Sequence, residues 1–422
     1  MKLEIEKAIY GGAGLARSDG KAIFVPFTLP GEIVEAQIAE DRGSFANAEL
    51  AAILDPSPAR TEPPCPYFGS CGGCHYQHAQ YEQQLQMKRS ILQESLERVR
   101  IASYPEIAAL HGDAFGYRNR IRLHVDRQTS ALCYKKRASH QNLPVTECPI
   151  AAPVLERALR RLIRPAVALE LGNVFEEMEL FTNDTQDTTL ISFWSSQGKK
   201  AATAALQQLW PHIEGFVRGA AVFATKSDNP QESLLAAMGD KALVYSAAGE
   251  QYRVSIGSFF QVNRFLVDRL AGLVTAEKTG RIAWDLYAGV GLFARALSHN
   301  FEQVVAVESA PSSTLDLREN LSGKSAKVVA AGTLDFLRRA KSHPRPDFVV
   351  VDPPRAGLGK EVCSLLGEIR APQITYVSCD PATLSRDLKA LLDSGYHFDS
   401  ISMVDLFPQT FHLESVVSLS LR

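Results

Sequence analysis

The chain has 422 residues, too long for one ordinary domain and enough for two or three. Its 45% hydrophobic and 22% charged content excludes disorder for the bulk of the sequence and supplies ample core. With 45 basic against 47 acidic residues the net charge is −2, so a nucleic-acid partner has to be met by a local patch rather than by the chain as a whole.

The opening MKLEIEKAIYGG alternates charge with hydrophobe and lacks the apolar segment of a secretory signal. No run of about 18 apolar residues follows, so the expectation is a cytoplasmic protein without membrane contact. Short β runs at Leu3–Ile9, Ala22–Val25 and Ile33–Ile38, broken by Gly11-Gly12 and Pro30-Gly31, predict a small barrel. A proline-rich linker from Asp55 to Pro64 ends it. Residues 78–100 read as a helix with Leu85, Leu92, Leu96 and Val99 on one face, and Lys88 and Arg89 outside it. From Tyr117 to Val125 the period becomes two, placing Arg118, Arg120 and Arg122 on one strand face and Ile121, Leu123 and Val125 on the other. Between Gly116 and His140 seven basic residues face the single acid Asp126, a candidate phosphate footprint whose plain alternative is a solvated strand face. Residues 150–250 mix helix and strand signals without a motif. From about residue 256 the rhythm is αβαβ, with buried strands expected at Ile282–Leu286, Val304–Val307, Phe348–Val351 and Ile374–Val377. Ile401–Leu406 and Val416–Leu421 suggest an antiparallel finish.

Seven cysteines, an odd number, point to metal or chemistry rather than disulfides. Cys65, Cys71 and Cys74, with Cys148 far downstream, can build a four-thiolate site for zinc or for an iron–sulfur cluster, and spacing alone leaves both open. Cys133 and Cys363 sit in apolar surroundings that suit core packing. Asp285-Leu-Tyr287-Ala-Gly289-Val-Gly291 is a buried strand running into a glycine turn, and Glu308 closes the next strand, where an acid can hold ribose hydroxyls. The same spacing fits a dinucleotide fingerprint, so NAD or FAD competes for it. Asp352-Pro353-Pro354-Arg355 leaves a strand at the ligand-binding edge, where proline forces the backbone into a loop. Cys379 follows another strand and precedes a helix near Thr383, whose N-terminus would favour thiolate. Glu414, just before the last apolar strand, is either a solvated loop acid or a general base partnering Cys379.

Taken together these residues resemble the RNA 5-methyluridine methyltransferase family nearly end to end. The likeness is carried by CPYFGSCGGC with the later CPI, by YRNRIRLHV, and in order by SFFQVN, DLYAGVG, VVAVE, DPPRAG, YVSCDPATLSRDL and FPQTFHLESV. The resemblance implies three parts: an OB-like TRAM barrel that binds RNA (1–58), an α+β central domain with a four-cysteine site and the basic strand (59–255), and a Rossmann-like class I methyltransferase domain (256–422). It implies a [4Fe–4S] cluster on Cys65, Cys71, Cys74 and Cys148, and RNA contacts from the arginine strand. S-adenosylmethionine contacts are implied for Gln261, Tyr287, Glu308 and Asp352, with Cys379 as nucleophile and Glu414 as base. Some members carry an asparagine shortly past the Gly-x-Gly turn, whereas Leu292 follows Gly291 here and supplies no amide.

The implied reaction is methyl transfer to C5 of a uridine in RNA. Uracil C5 is a poor nucleophile until a thiolate adds at C6, and a base must then remove the C5 proton. A stacked base must also be flipped out to meet both groups. The cluster is expected to be structural, because the transfer moves no net electrons. A TRAM barrel combined with a cluster favours 23S ribosomal RNA, with a tRNA T-loop uridine as the nearest alternative, and a monomer is expected. Two readings from other classes stand beside it: an iron–sulfur redox enzyme with a dinucleotide cofactor, and a non-catalytic RNA-binding factor.

Overall fold

The computed structural model describes residues 1–225, 234–340 and 344–421. The first six strands are β1 (Lys2–Glu4), β2 (Lys7–Ala8), β3 (Ala13–Ser18), β4 (Lys21–Pro26), β5 (Ile33–Asp41) and β6 (Phe45–Asp55). They form one sheet in the order β1-β5-β6-β4-β3-β2. Period-two burial turns Ile23, Val25, Val34, Ala36 and Ala48 into a small core of their own with Leu3 and Ile5. This is the β unit expected from the turn-broken runs.

After the proline linker and the cysteine loop, the helix Tyr81–Arg98 leads to β7 (Ile107–Leu110). A central sheet follows, ordered β10-β9-β8-β11-β12-β13-β14, from β8 (Arg120–Val125), β9 (Leu132–Lys135), β10 (Asn142–Pro144), β11 (Glu177–Thr182), β12 (Thr189–Ser195), β13 (Gly219–Ala224) and β14 (Leu234–Gly239). One face packs Ile121, Leu123, Leu180 and Phe193 against Leu155, Leu159, Leu206 and Leu209 of the covering helices. A hairpin, β15 (Ala242–Ala247) and β16 (Glu250–Ser255), joins this unit to the last one.

The last sheet contains β17 (Gly280–Leu286), β18 (Phe301–Glu308), β19 (Ala326–Ala330), β20 (Phe348–Val351), β21 (Gln373–Ser378), β22 (Tyr396–Val404) and β23 (Glu414–Leu421). Its order is β19-β18-β17-β20-β21-β23-β22-β7. The five strands from β19 to β21 are parallel, and β23 inserts antiparallel to both β21 and β22. The parallel sheet and its antiparallel end are as expected. Strands and side chains from before residue 255 also take part in this last unit. β7 pairs parallel with β22, extending the edge that the antiparallel finish exposes. Leu92 and Leu96 of the preceding helix share a core with Trp284, Tyr376 and Leu388, and the hairpin's Tyr252 and Val254 share another with Val304 and Phe348. Among the described residues no helix is long and apolar enough to cross a membrane.

Candidate active site

In the order β19-β18-β17-β20-β21 the direction of strand progression reverses between β17 and β20, so the loops leaving the strands diverge and open a crevice at their carboxyl ends. Tyr287 follows β17, Glu308 ends β18, Asp352 follows β20 and Cys379 follows β21. Glu414 starts the antiparallel β23. Because Ser378 pairs with Ser415, one step outward on each strand brings Cys379 beside Glu414. Gln261 lies on the loop after the hairpin. These six sequence-predicted residues line one cavity of about 590 Å³, together with Arg355, Phe407 and His412. Phe259, also on the lining, is 60% exposed and offers a ring on which a base can stack.

The turn after β17 is built by three residues at positive φ: Tyr287 (70°), Gly289 (56°) and Gly291 (97°). Space around Gly289 is open on the cavity side, whereas a Cβ on Gly291 would come within 2.7 Å of Leu317 Cδ1. Gly291 is thus required for close packing on the helix Pro311–Asn320, and Gly289 for the shape of the turn. The backbone N–H groups of Gly289 and Ala310 donate to Glu308 Oε2 and Oε1 at 2.8 and 2.6 Å. Held this way, each carboxylate oxygen keeps accepting capacity for a vicinal diol. Beneath the turn Asp285 is fully buried, with Oδ2 accepting from Ala294 N at 2.8 Å and Oδ1 unpartnered. Burial pushes its carboxyl up to about 8.

Burial dominates the electrostatics of Asp352, Glu414 and Cys379 as well. It raises Asp352 to about 7, and together with the facing Asp352 carboxylate it holds Glu414 well above the usual range. Two buried carboxyl groups at one site do not both ionise cheaply. The Cys379 thiol is pushed up to about 11 by burial, then by Glu414 and Asp352, against the opposing pull of Arg355. This corrects the expectation of a thiolate favoured by a helix N-terminus. The helix Pro381–Asp393 does begin there, but its first N–H groups, those of Ala382 and Thr383, are already taken by the Asp380 side chain.

The loop that carries Phe407 and His412 towards Glu414 is clamped from the helix Tyr81–Arg98. Lys88, fully buried, pairs with equally buried Asp405 at 2.5 Å and donates to Phe407 O at 3.0 Å. Tyr81 donates to the second Asp405 oxygen, and the Gln84 carboxamide bonds both the backbone N–H and the side chain of Gln409. Lys88 is therefore inside the helix's packed face, contrary to the sequence reading. It lies three residues after Leu85 and four before Leu92, and that spacing was the available signal. From the N-terminal sheet, Tyr10 stacks edge-on against Phe411 with centroids 5.3 Å apart. His412, with its imidazole driven down to about 3 by burial and by Arg355, stays neutral opposite that arginine. None of these contacts has a local sequence motif.

A second cavity, of about 250 Å³, is lined by Cys65, Cys71, Cys74 and Cys148 with Tyr67, Tyr134 and Arg118. The four predicted thiols meet there, whereas Cys133 and Cys363 are core residues. Among the described residues no three His, Cys, Asp or Glu side chains close on a single-ion site. The arginine strand does not present the free cationic face expected of it. Arg120 pairs with Glu179 at 3.1 Å and lies over Phe181, while Arg122 pairs with Glu177 at 2.5 Å and lies over Trp194. The physical reason is register: β11 puts Phe181 opposite Arg120, Glu179 opposite Arg122 and Glu177 opposite His124, so each arginine reaches an acid diagonally across the strand pair. Arg118 precedes the strand and belongs to the thiol cavity.

The profile of the tRNA (Uracil-5-)-methyltransferase family matches residues 80–330 and 342–422, and that of the TRAM domain matches residues 1–51. A Halomonas elongata protein named 23S rRNA (uracil(1939)-C(5))-methyltransferase RlmD is 32% identical over 440 residues, covering 99% of this chain and 89% of its own. An uncharacterized RNA methyltransferase of Aquifex aeolicus is 31% identical over 429 residues, covering 100% and 99%. The crystal structure of Pyrococcus abyssi tRNA (uracil-54, C5)-methyltransferase in complex with S-adenosyl-L-homocysteine shares the fold with a TM-score of 0.77 at 24% identity, over 99% of this chain and 100% of that one. The chain belongs to the tRNA (uracil-5-)-methyltransferase family: it is an S-adenosylmethionine-dependent RNA uracil-5-methyltransferase that carries an N-terminal TRAM domain.

Proposed function

We propose that this enzyme methylates C5 of a uridine in 23S ribosomal RNA through a covalent adduct between Cys379 and uracil C6. The observation that carries the reading is the convergence of Gln261, Tyr287, Glu308, Asp352, Cys379 and Glu414 on one cavity. S-adenosylmethionine supplies a methyl group on a sulfonium. Glu308 is the ribose partner, and Gln261, Tyr287 and Asp352 hold the remainder. The Cys379 thiol gives its proton to solvent and the thiolate adds at C6, leaving negative charge on the ring beside Arg355; C5 then attacks the methyl carbon, and the C–S bond breaks to release S-adenosylhomocysteine. Glu414 in its ionised form then removes the C5 proton, and the electron pair left behind expels the Cys379 thiolate.

The second cavity fits a [4Fe–4S] cluster. The support for this reading is that four thiols from two distant segments line one space of about 250 Å³. Cys65, Cys71, Cys74 and Cys148 would hold it, and no step of the transfer passes through it. The choice of ribosomal RNA draws on the TRAM domain, on this cavity and on relatives named as 23S enzymes. A tRNA substrate stays the second reading, since the name of the Pyrococcus abyssi protein, whose fold spans this whole chain, specifies tRNA.

Anaerobically purified protein, labelled S-adenosylmethionine and separate unmodified ribosomal RNA and tRNA pools test the proposal. Label in 5-methyluridine from ribosomal RNA, lost in Cys379→Ala, is the expected result. Label confined to tRNA overturns the substrate and keeps the chemistry.

A further inference from the structure

We propose that Arg118 is a positioning residue that ties the wall of the catalytic cavity to the charge held in the four-thiol cavity. Its backbone is fixed on both sides, its N–H donating to Ile150 O at 2.9 Å and its carbonyl accepting from Ala152 N at 2.8 Å. The guanidinium lines the thiol cavity and lies 5.8 Å from the ring centroid of Phe407, which lines the catalytic cavity. It is also 5.9 Å from the Tyr117 ring, and the Tyr117 hydroxyl donates to Pro408 O at 3.1 Å. One cation therefore lines the thiol cavity and reaches the wall of the other through Phe407, while the Tyr117 ring beside it holds the next residue, Pro408.

Arg118 is half-buried, with its Nε covered and without a hydrogen-bond partner, and among the described residues no carboxylate forms an ion pair with it. A cation in that state is costly unless negative charge lies nearby. The groups nearest it are the Cys148 and Cys74 sulfurs and the Tyr117 and Tyr134 hydroxyls, with the Glu147 carboxylate elsewhere on the same lining. This inference rests on the cluster reading: four thiolates holding a cluster carry the negative charge that keeps the guanidinium between the cavities and against Phe407. Emptying the cavity removes that charge and loosens Phe407. The backbone route runs parallel, because His75 N and Tyr76 N, next to Cys74, both donate to Gln409 O, at 2.8 and 3.0 Å.

The test uses full-length wild type, Arg118→Met and Arg118→Lys, with iron and sulfide assayed first. Amide exchange across residues 405–414 is followed before and after the cluster is stripped by an oxidant and a chelator. Stripping is expected to speed exchange about tenfold in wild type, while Arg118→Met starts fast and gains little more, the non-additivity expected of one coupled element. The same variant should lose about tenfold in kcat with KM for S-adenosylmethionine unchanged. Wild type that carries no iron retires the cluster reading, and this proposal with it. Iron-replete protein in which stripping speeds exchange equally in wild type and Arg118→Met overturns the role of Arg118 alone. Should Arg118→Met fail to fold, Arg118→Lys decides, since it keeps the charge but not the planar fork. An attenuated response supports the coupling, and an unchanged one overturns it.

Discussion

The two cavities are built on opposite principles. The catalytic one is framed by the ends of β17, β18, β20, β21 and β23, so regular backbone hydrogen bonding fixes where each functional side chain leaves the sheet. The thiol cavity takes its cysteines from irregular chain, Cys71 in an isolated bridge with Lys136 and Cys65, Cys74 and Cys148 outside any helix or strand, beside Ile121 of β8 and Tyr134 of β9. Both bury groups that prefer water in their ionised form, and burial raises the thiols of the second as it raises the carboxyls of the first. The difference lies in what maintains the geometry. The first is held by regular strand pairing, whereas the second rests on loops that bring two distant segments together.

The largest effect that would sharpen this contrast lies in the sheet-framed cavity. Cys379→Ala should lower kcat by about 10⁴-fold or more while S-adenosylmethionine binding, measured by calorimetry, is kept. Glu414→Gln should accumulate a denaturation-resistant protein–RNA species, because addition proceeds and elimination stalls. A Cys379→Ala enzyme of near-normal turnover would remove the covalent mechanism.

The next effect falls on the seam between the cavities. Lys88→Met leaves the fully buried Asp405 without its cation, and chemical denaturation should show a loss of about 3–5 kcal/mol. The double variant Lys88→Met/Asp405→Leu should recover part of that loss, since an apolar pair replaces an uncompensated charge. Equal losses in the single and the double variants would mean that the ion pair is not what holds the 405–412 loop.

Much of the sheet-framed cavity was legible because strand ends have local signatures: apolar runs stopped by a glycine turn, by Pro353-Pro354, or by Cys379 before a capped helix. The four cysteines were legible as a set because thiols are rare. What escaped depends on pairing across the chain. Lys88 finds Asp405 317 residues away, and the basic strand is neutralised by β11, whose acids lie 55 to 59 residues downstream. Edge strands escaped too. β19 (Ala-Lys-Val-Val-Ala) carries only two strongly apolar residues, and β7 joins a sheet whose other strands begin 170 residues later.

A smaller effect probes the thiol cavity. Cys148→Ala should lose iron and cut kcat by about tenfold, leaving KM for S-adenosylmethionine unchanged. If iron is lost and kcat stays at the wild-type level, the two cavities are independent, and the seam is only a structural junction.

The smallest expected effect is on stability against pH, and its sign distinguishes buried carboxyls from ion-paired ones. Asp352 is raised from its usual 3.8 to about 7, and Glu414 moves the same way, so between those values the folded protein binds more protons than the unfolded chain. The contribution of Asp352 to stability is thus fully present below 3.8 and lost as pH rises through about 7, and that of Glu414 changes in the same direction. Asp352→Asn removes the group that must ionise inside the cavity. The variant should therefore melt close to wild type at about pH 5 and about 3 °C above it at about pH 8, other titrations cancelling in the difference. An ion-paired carboxylate would give the reverse, with the variant weaker at the higher pH. A constant difference across the range would mean that Asp352 keeps one protonation state throughout, and that the mutual repulsion assigned to Asp352 and Glu414 is not felt by the free enzyme.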